Sequence, residues 1–159
     1  MKTFGILLLT TMILSLASFE TSGQTYTGGS IGIHFDRGYY VDASPILGYR
    51  AGRLDVGISP FFAYRKYESG SERYSYGGRV FSQVTLYHQV FVHGELEVTN
   101  VETAIGDRKW IYGLPVGGGY RYNLTDRTQA YGMVLYDLIL DDDSPVENPI
   151  IRGGVIYNL

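Results

Sequence analysis

The 159-residue chain has no cysteine, so no disulfide holds its fold and backbone closure has to take that role. It also lacks a dominant charge. Lys and Arg number 13 against 16 Asp and Glu, a formal net charge of −3. So mild a balance provides no basic field for nucleic acid. Long hydrophobic runs are missing beyond residue 17, where no apolar stretch approaches the roughly 18 residues a membrane helix needs. If this chain enters a membrane, it does so as a closed barrel of strands. What the sequence has in quantity is glycine (21) and tyrosine (15), the makings of a β-rich fold with close backbone contacts and many aromatic side chains.

The N-terminus reads as a secretory signal. Lys2 gives a positive start, Phe4 to Ala17 is apolar apart from small and hydroxyl residues, and small residues follow. Cleavage is expected near Ala17 or Gly23, with Gln24 the preferred mature start. This divides the chain into a signal peptide over 1–23 and one domain over 24–159.

Within that domain, period-two alternation predicts eight strands of membrane-crossing length, near 28–36, 39–50, 54–66, 73–87, 89–100, 109–123, 127–140 and 149–159. Short connections at 51–53, His88 and 124–126 alternate with longer polar ones at 68–73, 101–108 and 141–148. That layout predicts an eight-stranded antiparallel up-and-down transmembrane β-barrel with both ends of the domain on the periplasmic side.

The faces tell a membrane barrel from a soluble one. In the third strand Leu54, Val56, Ile58, Pro60, Phe62 and Tyr64 oppose Asp55, Gly57, Ser59, Phe61, Ala63 and Arg65. In the fifth, Val90, Val92, Leu96 and Val98 oppose His93, Glu95, Glu97 and Thr99. The sixth sets Trp110, Tyr112, Leu114, Val116, Tyr120 and Tyr122 against Gly113, Pro115, Gly117, Gly119, Arg121 and Asn123. Turning the apolar face outward places large aromatics at the membrane interfaces and leaves glycines and single charges inside. A soluble lipid-binding barrel would need the reverse. Eight strands enclose a lumen that side chains fill. The expected lumen set is Arg50, Arg65, Arg79, Arg121 and Arg152 with Asp55, Glu95, Glu97, Asp137 and His93, near balance because one-sided buried charge is very costly.

The chain ends on an alternating strand with Ile151, Val155, Tyr157 and Leu159 on one face and Arg152, Gly154, Ile156 and Asn158 on the other. Arg152, Gly154, Tyr157 and Leu159 resemble, in order, the C-terminal assembly signal of bacterial outer-membrane barrels. With it, Ser44–Arg50 running into Leu54–Gly57, Val92–Glu97 and Leu114–Tyr120 resemble an uncharacterised family of small outer-membrane barrel proteins, the outer membrane protein β-barrel domain group. The resemblance covers most of the domain and implies fold and location: export, integral insertion in the outer membrane, contact with its lipid and lipopolysaccharide, and engagement of the insertion machinery by the C-terminal strand. It implies no activity, and no functional residues carry over.

Candidate chemistry is sparse. His93 as a base oriented by Glu95, with Ser82 or Ser75 as nucleophile, would suit acyl transfer to lipid A. However, residues two apart on a strand lie about 7 Å from one another, so no direct His93–Glu95 bond is expected, and Ser82 should face lipid. A metal site at His34, His93 and Glu95 lacks a closed ligand set. Asp141-Asp142-Asp143 lacks the spacing of a calcium loop and reads as a solvated outer loop. Asn123-Leu124-Thr125 matches a glycosylation sequon but falls in an expected periplasmic turn. The expectation is a monomeric, non-enzymatic barrel without cofactor, structural or surface-interacting through its outer loops. A lipid A acyl-modifying enzyme and a narrow small-solute channel are the alternatives. N-terminal sequencing of the membrane-inserted protein should begin at Gln24; a sequence starting at Met1 would refute the signal peptide.

Overall fold

The computed structural model describes residues 23–34, 38–103, 106–139, 141 and 144–159. The expected signal peptide up to residue 22 lies outside them, as do Asp142 and Asp143. There are nine strand segments: β1 Gln24–His34, β2 Gly38–Ala51, β3 Leu54–Tyr67, β4 Glu72–Tyr87, β5 Val90–Glu102, β6 Arg108–Gly113, β7 Pro115–Asn123, β8 Thr128–Asp137 and β9 Ile150–Asn158. Segments β6 and β7 are halves of one strand. Both pair with β5 in a single register, with Glu97 opposite Gly113 and Gly94 opposite Val116. The break falls at Leu114, just before a proline that has no N–H for the ladder. There the Leu114 N–H donates to Asp137 Oδ1 at 2.8 Å.

The result is a closed, all-antiparallel, eight-stranded barrel, with β9 sealed against β1 (Ser30 opposite Gly154) and β4 against β5. All eight expected strands are present. The first starts at Gln24 rather than 28, because Gln24 to Thr27 extend the β2 ladder as far as Arg50. Polar residues at that rim hide the alternation. Strand β8 ends at Asp137 rather than 140. The Asn148 side-chain amide closes it there, accepting from the Asp137 N–H (2.7 Å) and donating to the Asp137 carbonyl (3.0 Å).

Two of the expected long loops are shorter than the polarity of their sequence suggests. Strands β2, β3, β4 and β5 run to 14, 14, 16 and 13 residues. That exceeds the roughly 9–11 residues of a membrane crossing, so these hairpins project past the apolar band. They close tightly, with Tyr67 N–H donating to Ser71 O (2.9 Å) and Thr103 N–H to Asp107 O (2.7 Å). The 138–149 connection remains long. We call this the loop end; the opposite turn end carries Gly52-Arg53, His88-Gln89, the 124–127 turn and the outer residues of β1 and β9.

Side chains alternate across the wall. Ile31, Leu47, Ile58, Val80, Leu96, Val134 and Ile151 point outward, each more than half exposed, and form a continuous apolar band. An exposed patch of that extent is incompatible with water and matches lipid. Aromatics edge the band. Tyr76 and Trp110 meet edge-to-face at 6.1 Å, and Tyr74 touches Phe62 and Tyr64 near the loop end, while Tyr49, Tyr120, Tyr122 and Tyr157 ring the turn end.

The interior is richer in apolar groups than the sequence suggested. Three clusters line it: Tyr26–Ile46–Phe81–Ile156, Phe91–Met133–Leu135–Ile150 and Tyr40–Phe61–Ala63. Residues 144–148 of the last connection also depart from expectation, because they fold inward instead of standing in solvent. Val146 packs on the second and third clusters, and the Pro145 carbonyl accepts from the buried Arg65 Nη1. Asp141 pairs with Lys109 Nζ at 3.2 Å. A single apolar side chain anchoring the segment explains why charge-based reading placed it outside. Val146→Asp should lower the urea midpoint of the heat-modifiable form, corresponding to a stability loss of about 1–3 kcal/mol for a carboxylate forced among apolar groups. An unchanged midpoint would show that the segment does not depend on this anchor.

Candidate functional site in the charged lumen

At the turn end, β2 and β3 are joined by a two-residue turn that sets Arg50 opposite Asp55, both pointing inward. Arg50 Nε and Nη2 donate to Asp55 Oδ1 and Oδ2 at 2.9 and 3.1 Å, a bidentate pair. Arg121 Nη2, from β7, donates to the same Oδ2 at 2.7 Å. Asp55 therefore serves two guanidiniums while being only 1% exposed. Arg121 also donates to Gln83 Oε1, which turns the Gln83 amide nitrogen toward His93 Nδ1 at 2.8 Å. Nδ1 accepts there, so the ring proton sits on Nε2 and is donated to Glu95 Oε2 at 2.9 Å. The imidazole in this arrangement is neutral.

Beyond Glu95 the chain branches. Arg152 Nη1 reaches both Glu95 oxygens, at 2.8 and 2.9 Å. Arg79 Nε donates to Glu97 Oε2 at 2.6 Å, and its Nη1 donates to Asp42 Oδ1 at 3.1 Å and Ser44 Oγ at 2.8 Å. Thr99 Oγ1 donates to the other Glu97 oxygen at 2.8 Å. The guanidinium of Arg79 lies over the Phe61 ring at 3.9 Å, and that of Arg121 over Phe91 at 4.7 Å. Aromatic faces thus cover the cations where carboxylates do not. Hydrogen bonds run from Arg50 to Arg152, and two longer ion pairs, Arg79 Nε–Glu95 Oε1 at 3.8 Å and Arg152 Nη2–Glu97 Oε2 at 4.0 Å, join this chain to the Arg79–Glu97–Asp42 group.

The charges balance in total but not along the axis. Arg50, Arg79, Arg121 and Arg152 face Asp42, Asp55, Glu95 and Glu97. On the turn-end side of the Gln83–His93 bridge, Arg50 and Arg121 share Asp55. On the other side, Arg79 and Arg152 meet Asp42, Glu95 and Glu97. Between the halves lies a cavity of about 20 Å³, lined by Arg79, Gln83, His93, Glu95, Tyr131 and Arg152 among others. It has room for roughly one water.

Eight of the residues expected in the lumen are joined in this network: Arg50, Asp55, Arg79, His93, Glu95, Glu97, Arg121 and Arg152. Two are placed otherwise. Arg65 is buried nearer the loop end, where it holds the Pro145 carbonyl and lies 4.7 Å over the Tyr67 ring. Asp137 is half-buried and caps backbone at the strand break, accepting from the N–H groups of Leu114 (2.8 Å) and Ile139 (3.1 Å). Sequence reasoning missed Asp42 and Gln83. Asp42 shares the period-two phase of Arg50, and following that phase back along β2 would have found it. Gln83 carries no charge, so a search for ions passed over it.

The direct His93–Glu95 bond also departs from expectation. Side chains of the same strand face lean along it, and a long glutamate spans the gap that Cα spacing appears to forbid. Both ring nitrogens are taken by Gln83 and Glu95 rather than by a hydroxyl, and of the two expected serines Ser82 points outward while Ser75 is buried. His34 lies at the loop-end tip of β1 opposite Tyr40. Among the described residues no group of three or more His, Asp or Glu side chains is placed to hold a metal.

The C-terminal strand sits as its pattern requires. Arg152, Ile156 and Asn158 are buried inside, while Tyr157 and Leu159 face out at the turn end. Gly154 is needed for space, since a Cβ there would overlap the Gly29 carbonyl and the Tyr131 ring.

No family model matches the sequence, and no curated protein does. Solved structures do resemble it in fold. The N-terminal β-barrel domain of Pseudomonas aeruginosa OprF superposes with a TM-score of 0.59 at 14% identity, covering 87% of this chain and 100% of that domain. Neisserial surface protein A superposes with a TM-score of 0.52 at 16% identity, covering 86% of this chain and 97% of that protein. The chain has the fold of the eight-stranded outer-membrane β-barrels.

Proposed function

We propose that this protein is a monomeric, integral outer-membrane barrel without enzymatic activity, whose lumen is closed by its own side chains and whose loop end is displayed at the cell surface. The observation that carries this reading is the network of hydrogen bonds and ion pairs from Arg50 to Asp42 around a cavity of about 20 Å³. A hydrated ion has no path through paired guanidiniums and carboxylates without breaking several charge-assisted bonds. The apolar band and its aromatic edges support a place among outer-membrane lipid and lipopolysaccharide. The phase of Arg152, Gly154, Tyr157 and Leu159 supports reading by the insertion machinery. By connection length the turn end faces the periplasm and the projecting hairpins face outward. The fold shared with a Neisserial surface protein agrees with that display.

In planar bilayers the protein should show no stable conductance of porin size; long-lived openings would overturn the closed lumen. Glu95→Ala strips Arg152 and His93 of their acceptor, so it should cost about 3–5 kcal/mol of stability, seen as a lower denaturant midpoint. The His93–Glu95 pair is the observation that favours the enzymatic reading. Mass spectra of lipid A from cells with and without the protein should nevertheless be identical. A change in acyl number that disappears in His93→Ala would establish catalysis instead.

A further inference from the structure

The turn-end mouth opens into a cup of about 640 Å³ lined by Arg50, Arg53, Thr85, His88, Gln89 and Arg121, with Asn123 and Gln129 beside them. That volume is typical of a small-molecule site. Its floor is the half of the lumen network in which two guanidiniums share the single carboxylate of Asp55. A third cation stands above them. Arg53 sits in the β2–β3 turn, is exposed, and makes no ion pair among the described residues. No carboxylate lines the cup. The other acidic side chain at this end, Asp126, belongs to the 124–127 turn, outside the lining. The remaining lining offers amides and a hydroxyl. Arg50 Nη1 already donates to Gln129 Oε1 at 3.3 Å, and Arg121 Nη1 to Thr85 Oγ1 at 3.2 Å, which braces both guanidiniums.

We infer that this cup binds a small oxyanion, a group bearing phosphate or carboxylate oxygens, at the periplasmic mouth of the barrel. The periplasmic placement rests on the orientation proposed above, but the binding does not. Fixed guanidiniums in excess over carboxylate, at the mouth of a low-dielectric wall, attract an oxyanion and present it with paired N–H donors. A free solute and a phospholipid headgroup offer the same chemistry. The Gln83–His93 bridge holds Asp42, Glu95 and Glu97 deeper in the lumen, so the guanidiniums of Arg50 and Arg121 lie nearer the cup than those carboxylates do.

Calorimetric titration of the full mature barrel in phosphatidylcholine nanodiscs with pyrophosphate, at low ionic strength, tests the site. Saturable binding is expected, with affinity reduced about tenfold in Arg53→Gln by loss of one charge-assisted contact. It should be lost in Gln89→Glu, which puts a carboxylate in the cup while keeping the acceptor that Tyr120 Oη–H uses at 2.5 Å. In the unmodified protein, the Nε–H NMR signals of Arg50 and Arg121 should shift with the same saturation. Adding phosphatidylglycerol to the discs then identifies the source: weakened pyrophosphate binding points to a headgroup, and unchanged binding to a free solute. No saturable binding and no arginine shifts in the unmodified protein would overturn the site. So would equal affinity in both variants while heat-modifiable folding is retained.

Discussion

Closing eight strands into a ring leaves an interior with room for little solvent, so most polar groups on the inner face are satisfied by other side chains or by backbone. That constraint organises the molecule. Arg50 and Asp55 come from β2 and β3, Gln83 and Arg79 from β4, His93, Glu95 and Glu97 from β5, Arg121 from β7 and Arg152 from β9. The hydrogen bonds and ion pairs that join them tie most of the wall across its diameter, adding side-chain links to the backbone ladders. With no cysteine available, these links are the interior's substitute for covalent cross-bracing.

Apolar and ionic layers share the work. Rings of Phe61 and Phe91 lie against Arg79 and Arg121 and offset part of the cost of taking these guanidiniums out of water. Val146 brings part of the last connection into the same interior, next to Tyr40 and Met133. The bridge of Gln83 and neutral His93 passes hydrogen bonding through the centre without adding charge. It also lets the two halves of the network carry opposite excesses, the geometric origin of the basic cup at the turn end.

Period two made the fold legible, because each strand's outward face carries Val, Leu, Ile and aromatics with few exceptions. The same phase located eight lumen residues from sequence alone. It failed where phase is masked or irrelevant. Asp42 keeps the phase of Arg50 but lies eight residues back along β2, near the aromatic pair Tyr39-Tyr40, and Gln83 is uncharged. Arg65 and Asp137 each bind backbone groups, at a folded-in segment and at a strand break, which no side-chain pattern announces. Distance reasoning failed at His93–Glu95, since Cα spacing ignores the reach and lean of a glutamate.

The central claim is that the two ionic clusters form one network through Gln83 and His93. A double-mutant cycle between Asp55→Asn and Glu95→Gln, read by equilibrium denaturation in detergent, tests it most directly. The two sites share no contact, so independent clusters would give additive losses within about 0.3–0.5 kcal/mol. A continuous network predicts a coupling of about 0.5–3 kcal/mol between them. Additivity would contradict the account.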